Sequence, residues 1–310
     1  MRGVYFNNGG VELRTVDKVA GEGVRVRVRC AGICGSDLHM LEMKFPLKCI
    51  VGHEAAGVLD DGTPVAVEPI SPCNECAYCR SGEYNLCKSA AATTLGIGRD
   101  GCMTDEIHVP QRSLVYLPSN VDVKDACLIE PLAVAVHGMR KSGLMARQRV
   151  AVIGGGTIGL CAVAAASDGG TEVGLSARYE HQTAAGKRLG AVPIDGKYDL
   201  VVECTGAKDA LKQVVDLCRP GGRVLLLGTY WEGVSLPMMG MMKEITTVSS
   251  YMYSAGGGAR DFDAAAKLLS RHPEIAGTLI THRFPLAEAK QAFAVARDRK
   301  SGAIKVVLEP

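Results

Sequence analysis

The chain has 310 residues, 47% of them hydrophobic and 22% charged, with 35 Lys and Arg against 33 Asp and Glu for a net charge of +2. That length suggests two domains at about 100–200 residues each. The apolar share excludes a disordered chain, and the balanced charge gives no reason to invoke nucleic acid or an anionic membrane surface. Two counts are unusual: 12 Cys, and 37 Gly where average usage of about 7% would give about 22. Met1 to Gly10 shows no apolar signal core. The longest uncharged apolar run, Val150 to Ala166, is broken by four glycines and falls short of the about 20 residues a spanning helix needs. A cytoplasmic chain is therefore expected, in which thiols stay reduced and cysteines in such number ask for metal.

The first 120 residues read as short strands separated by turns. Gly23 to Cys30 alternates, with Val24, Val26 and Val28 on one face and three arginines on the other. Val51–Leu59 and Thr63–Val67 flank Asp60-Asp61-Gly62, a hairpin signal. A turn-rich stretch follows from Pro110, and Asp125 to His137 reads as a helix. From Arg149 the rhythm changes. Val150–Ile153, Glu172–Leu175, Tyr198–Glu203 and Arg223–Gly228 read as strands, and Ala210–Leu217 as a helix that Pro220-Gly-Gly222 ends. Strands alternating with helices indicate βαβ units and a parallel sheet. Gly256-Gly257-Gly258 reads as a turn, Asp261–Ser270 and Leu286–Ala296 as helices, and Ile304–Leu308 as a closing strand.

Cys73, Cys76, Cys79 and Cys87 form a C-x2-C-x2-C-x7-C run. Four thiolates at this spacing can wrap one tetrahedral Zn2+ in a closed, structural site. An iron–sulfur cluster is the rival; the long last gap and the absence of a proline after Cys87 lean towards zinc. Cys34, in Cys34-Gly-Ser-Asp-Leu-His39, combines with His53, Glu54 and Glu130 into a Cys, His and carboxylate set that suits a zinc with an open position. Such a site polarises a bound oxygen. The other cysteines read as small buried apolar residues.

These motifs, with Gly52-His53-Glu54, Glu130-Pro-Leu-Ala-Val-Ala135 and the glycine turn at 154–159, resemble the zinc-dependent medium-chain dehydrogenase/reductases, especially their polyol and threonine dehydrogenase branch. The resemblance implies an α/β chain: a GroES-like β-barrel catalytic domain over 1–120, completed by 282–310, and a doubly wound Rossmann domain over 121–281, with catalysis in a cleft between them. It implies Cys34 and His53 as catalytic zinc ligands, Glu54 as a direct or exchanging ligand, and Glu130 as a ligand or a partner through water. Glu130 stands where the simple alcohol branch carries Cys, which points away from ethanol-like substrates. Ser36 matches the hydroxyl that bonds the substrate alcohol, His39 the relay to solvent, and Asp37 the support of a ligand His. A homodimer or homotetramer is also implied.

Gly154, Gly156 and Gly159 form G-x-G-x-x-G between a strand and a helix that Thr157 and Ile158 open. This is the context a dinucleotide fingerprint requires, with the pyrophosphate on the helix N-terminus. The next strand ends Ser176-Ala177-Arg178, without the carboxylate that holds an NAD ribose. Ser176 and Arg178 therefore favour NADP over NAD, although Glu180 would restore an acidic group under a register shift of three. Cys204, Thr205 and Gly228 follow later strands and are expected on the nicotinamide side. The expectation is an oxidoreductase moving hydride between a secondary alcohol of a polyol, sugar or amino alcohol and NADP. The alternatives are an NAD-dependent threonine-type dehydrogenase, or a non-catalytic nucleotide-binding protein, which would be marked by loss of the metal set. A zinc module that holds nucleic acid is disfavoured, since only Arg80 and Lys88 supply positive charge around 73–87.

Overall fold

In the computed structural model, which describes residues 1–17, 22–256 and 258–310, the chain begins with an antiparallel hairpin of β1 (Arg2–Asn7) and β2 (Gly10–Thr15). β3 (Val24–Gly32) then runs into helix α1 (Gly35–Glu42). Its alternation is realised: Val26 and Val28 are buried while Arg25 and Arg29 face solvent. β4 (Glu54–Val58) and β5 (Pro64–Val67) form the expected hairpin, with Gly62 at φ +86° and Thr63 N donating to Asp61 Oδ1 at 2.9 Å. β4 begins three residues later than expected, because 51–53 leave the ladder. β6 (Glu106–Val109) and β7 (Leu114–Tyr116) complete this part. Helix α2 (Ile129–Lys141) follows a short 3-10 turn at Ala126–Leu128.

The next stretch is a parallel sheet. β8 (Arg149–Ile153), α3 (Thr157–Asp168), β9 (Glu172–Ser176), α4 (Glu180–Arg188), β10 (Val192–Pro193), β11 (Tyr198–Glu203), α5 (Ala210–Leu217), β12 (Cys218–Leu226) and β13 (Thr246–Ser249) succeed one another. Every strand pair is parallel, and the spatial order is β10-β9-β8-β11-β12-β13. Counting by chain order this is 3-2-1-4-5-6, the doubly wound dinucleotide-binding arrangement. Its central strands are apolar throughout because both faces are covered: Val150, Ala151, Val152, Leu200, Val201 and Val202 are fully buried. α5 lays Leu211, Val214 and Val215 on this core. The chain leaves α5 at Leu217, three residues before Pro220.

After a two-residue ladder, Ala255–Gly256 with Ala259–Arg260, come α6 (Asp261–Arg271), β14 (Ile280–Pro285), α7 (Ala289–Arg297) and β15 (Lys305–Glu309). Gly257, within the expected glycine turn, lies outside the described residues. β14 and β15 extend the first sheet, whose order is β14-β15-β3-β4-β5-β7 with β6 paired to β3. Val26, Val65, Val67, Ile107, Phe293 and Leu308 form the core beneath it, each worth about 1.5–3 kcal/mol on full burial.

The chain divides into Met1–Glu130 with Ser254–Pro310, and Pro131–Tyr253. Along the chain these compact units meet near 130 and 254, where the expected bounds were 121 and 281. α6 has an amphipathic pattern that a crossover helix would also show, so periodicity alone cannot say which sheet it serves. Its contacts do: Asn120 Nδ2 donates to Ser270 O at 2.8 Å, and Arg260 Nη1 donates to Glu68 Oε2 at 3.2 Å.

Candidate active site

The turn between β3 and α1 and the start of β4 bring three donors together. Ligand atoms of Cys34, His53 and Glu54 all lie within 4.8 Å of one another. Cys34 is the N-cap of α1, and its amide donates to Asp37 Oδ2 at 2.9 Å, which fixes the turn. The other Asp37 oxygen lies 3.6 Å from His53 Nδ1; both atoms are buried and neither makes a hydrogen bond. Asp37 therefore flanks His53, as a carboxylate behind a metal-bound imidazole does. Burial opposes charge on His53, yet Asp37 and Cys34 carry its pKa well above the ordinary value. The negative field that draws a proton there also draws a divalent cation. The donor set and the orphaned polar atoms fit zinc.

Glu130 is not one of the three clustered donors, though its charge also acts on His53. Ser36 and His39 are half-buried on α1, three residues apart and hence on one face. Sequence reasoning missed the partner of Glu54. Lys305 Nζ, on β15, donates to Glu54 Oε1 at 2.8 Å, to Oε2 at 2.6 Å and to Ile33 O at 3.0 Å. Both side chains are about 1% exposed. Burial works against the ammonium, but Glu54 and Cys34 hold it above its ordinary pKa. Gly32 makes room for the pair, since a Cβ there would stand 2.0 Å from Glu54 Oε2. The available signal was one lysine inside an apolar strand.

The second cysteine group also assembles. Cys73–Cys87 and Cys76–Cys79 sulfurs are 3.5 Å apart, and Cys73–Cys79 sulfurs 3.8 Å. A zinc–sulfur bond of about 2.3 Å gives a tetrahedron edge of about 3.8 Å. The four thiols thus fit zinc. Amides of Cys73 and Ser89 lower the Cys87 thiol to about 6, and amides of Glu75 and Cys76 lower Cys73. Both shifts favour the thiolate that binds metal.

In the other unit, the glycine turn opens α3 from the end of β8. Gly154 has φ +109°, and a Cβ on Gly159 would fall 1.8 Å from Gly154 O, so helix and turn can meet only there. Gly156, the N-cap of α3, faces open space, as a backbone approached by phosphate should. Thr157 and Ile158 form the first helical turn. Ser176 ends β9 and accepts from Gln213 Nε2 at 3.1 Å; Arg178 is exposed and, among the described residues, forms no ion pair. Cys204 and Thr205 close on the glycine turn, where a Gly154 Cβ would meet Thr205 Cγ2 at 2.7 Å. A Gly228 Cβ would lie 2.4 Å from the Gly206 amide, so this floor is continuous.

The alcohol dehydrogenase GroES-like domain family matches residues 20–119, and the glucose dehydrogenase C-terminus family matches 123–309. A sorbitol dehydrogenase from Halalkalibacterium halodurans is 33% identical, over 93% of this chain and 91% of its own. The chain belongs to the zinc-type medium-chain dehydrogenases. Among solved structures, a zinc-binding dehydrogenase from Sinorhizobium meliloti 1021 bound to NADP shares 27% identity at a TM-score of 0.85, covering 100% of this chain and 99% of that one. An alcohol dehydrogenase from Escherichia coli CFT073 complexed with NADH shares 26% at 0.88, with the same coverage. Medium-chain dehydrogenases of this polyol-type branch are oxidoreductases acting on alcohols, and this chain has their two-domain α/β architecture. Among the described residues, no helix is long and apolar enough to cross a membrane.

Proposed function

We propose that this enzyme moves hydride between a secondary alcohol of a polyol, sugar or amino alcohol and the nicotinamide of NADP, using one catalytic and one structural zinc. The clustering of Cys34, His53 and Glu54 carries the reading. Bound there, zinc supplies Lewis-acid polarisation of the alcohol oxygen, and the nicotinamide supplies the redox chemistry. Asp37 orients His53, and Lys305 pins the Glu54 carboxyl group beside the metal position. Ser36 takes the hydroxyl proton at Oγ as it gives up its own, and His39, on the same face of α1, hands that proton to solvent. Glu130 adds negative charge near His53 and completes the set as a ligand or through water. Cys73, Cys76, Cys79 and Cys87 hold the second zinc and take no part in chemistry.

Exposed Arg178 and the lack of a carboxylate at Ala177 support NADP. NAD is the second reading, favoured by Glu180 on the first turn of α4 and by the NADH bound to one relative. The sugar-alcohol class rests on Glu130 and on the sorbitol dehydrogenase likeness. Reduced metal thiolates agree with a cytoplasmic setting, and we take the working form to be a homodimer or homotetramer.

The test is Cys34→Ser with metal analysis and kinetics. Zinc should fall from two to one per chain while alcohol oxidation drops by at least about a hundredfold. Full activity in that variant refutes the role. Comparing kcat/KM for NADP and NAD in wild type and Arg178→Ala tests the cofactor; a clear NAD preference in wild type overturns that part.

A further inference from the structure

At the carboxyl end of β11 the fold buries an acid that alcohol chemistry at the zinc does not need. Glu203, the last residue of β11, is fully buried between Ile153 of β8 and Leu226 of β12. Its Oε1 accepts from the Thr205 amide at 2.7 Å, the Thr205 hydroxyl at 2.5 Å and the Gly206 amide at 3.2 Å; its Oε2 accepts from the Gly206 amide at 3.1 Å. All donors are neutral. Among the described residues no Lys, Arg or His pairs with it, so its charge is cradled but not cancelled. Such acceptor-only bonding to amides is the pattern of an ionised carboxylate. The cradle is close-fitting: a Gly228 Cβ would stand 2.4 Å from Glu203 Oε2. Neighbouring acids register the field, for burial together with Glu203 pushes the Cys204 thiol and the Tyr230 phenol up.

Where this charge sits along the dinucleotide follows from the sheet. Ligands of a 3-2-1-4-5-6 sheet lie across the carboxyl ends of the strands at the point where the order reverses. The pyrophosphate belongs at α3 after β8, and the adenosine ribose at the end of β9. The other half of the molecule must therefore run over β11 and β12, above Glu203. Oxidised nicotinamide carries a positive charge that the reduced ring lacks.

We propose that Glu203 is a specificity-determining residue that makes the site favour the oxidised over the reduced cofactor. The inference rests on the dinucleotide reading above. It makes a demand that a merely structural carboxylate would not: removing the charge must weaken one redox form and spare the other.

Calorimetric titration of zinc-loaded, full-length protein with NADP+ and with NADPH decides it. The dissociation constant for NADP+ should rise about tenfold in Glu203→Gln while that for NADPH stays within about twofold. Thr205→Val, which removes one cradle bond and keeps the charge, should leave the ratio of the two constants unchanged. So should Glu203→Asp, even where both affinities drop, which keeps the test open if the Gln variant does not fold. Equal weakening of both forms in Glu203→Gln, or a changed ratio in Glu203→Asp, overturns the proposal. If wild type binds neither NADP+ nor NADPH, nor NAD+ nor NADH, the dinucleotide reading fails and takes this inference with it. A wild type that prefers NAD is tested with that redox pair by the same ratio.

Discussion

Lys305 shows how much of the site depends on one residue contributed from far along the chain. It lies 251 positions from Glu54 and meets it in a pair about 1% exposed. Removing one member of a buried pair leaves the other charge uncompensated, which costs about 3–5 kcal/mol. Lys305→Met should lower the urea midpoint of unfolding accordingly, and Lys305→Arg should recover part of it. A loss below about 1 kcal/mol in the Met variant would mean that Glu54 is neutral or otherwise paired. Local motifs made Cys34, His53 and Glu54 legible in the sequence, because each sits in a short run whose residue types serve one chemistry. Lys305 and Glu203 were not legible. A charged residue next to apolar strand positions looks the same whether it faces water or a buried partner, and only the folded neighbours decide.

At the scale of elements, the four-cysteine lobe is the clearest case of a segment ordered by its side chains rather than by helix or strand. Its only regular pieces are Ala77–Arg80 and the turn Tyr84–Leu86. The lobe reaches outward through Gly82 O, which accepts from Ala255 N at 2.9 Å, and through Tyr84, whose hydroxyl donates to Glu68 Oε1 at 2.5 Å. Glu68 in turn accepts from Arg260 at 3.2 Å. Cys87→Ser should therefore remove one zinc per chain, leave the Cys34 site loaded, and open both 73–87 and 255–260 to limited proteolysis. Cleavage confined to 73–87 would show that the lobe is uncoupled from its neighbours. The strand–turn–helix at 149–168 is the opposite case. Its glycine spacing and apolar strand specified the element correctly, since the constraint is steric and local: no side chain fits at Gly159.

For the whole molecule, each unit carries an aspartate whose ionised form the fold favours. Burial opposes ionisation of Asp105, but its bonds to Arg2 outweigh it; the Arg149 amide, then Arg219, lower Asp199. A carboxyl held below its unfolded value of about 3.9 contributes stability that is present above that pH and lost as pH falls through the folded value. Both side chains are about a quarter exposed, at 29% and 25%, so each should be worth less than about 1 kcal/mol. Melting temperature should decline as pH falls below about 4, and less steeply in Asp105→Asn/Asp199→Asn than in wild type at equal zinc content. Parallel curves for the two proteins would assign the acid sensitivity elsewhere, with zinc release the first candidate.

The amino-acid order by itself determined the fold class, the two donor groups that cluster around Cys34 and around Cys73–Cys87, and the glycine turn at 154–159. Each of these is written in residue types at short spacings, where backbone sterics and ligand chemistry act locally. Only the tertiary structure decided that α6 belongs with the first unit, that Glu54 is held by Lys305, and that Glu203 lies uncompensated beneath Thr205 and Gly206. Those facts depend on which residues share a low-dielectric interior, a property of contacts between segments distant in the chain. That interior also changed the meaning of the composition: a net charge of +2 says nothing of how buried carboxylates are met, Glu54 by an ammonium and Glu203 by neutral donors alone.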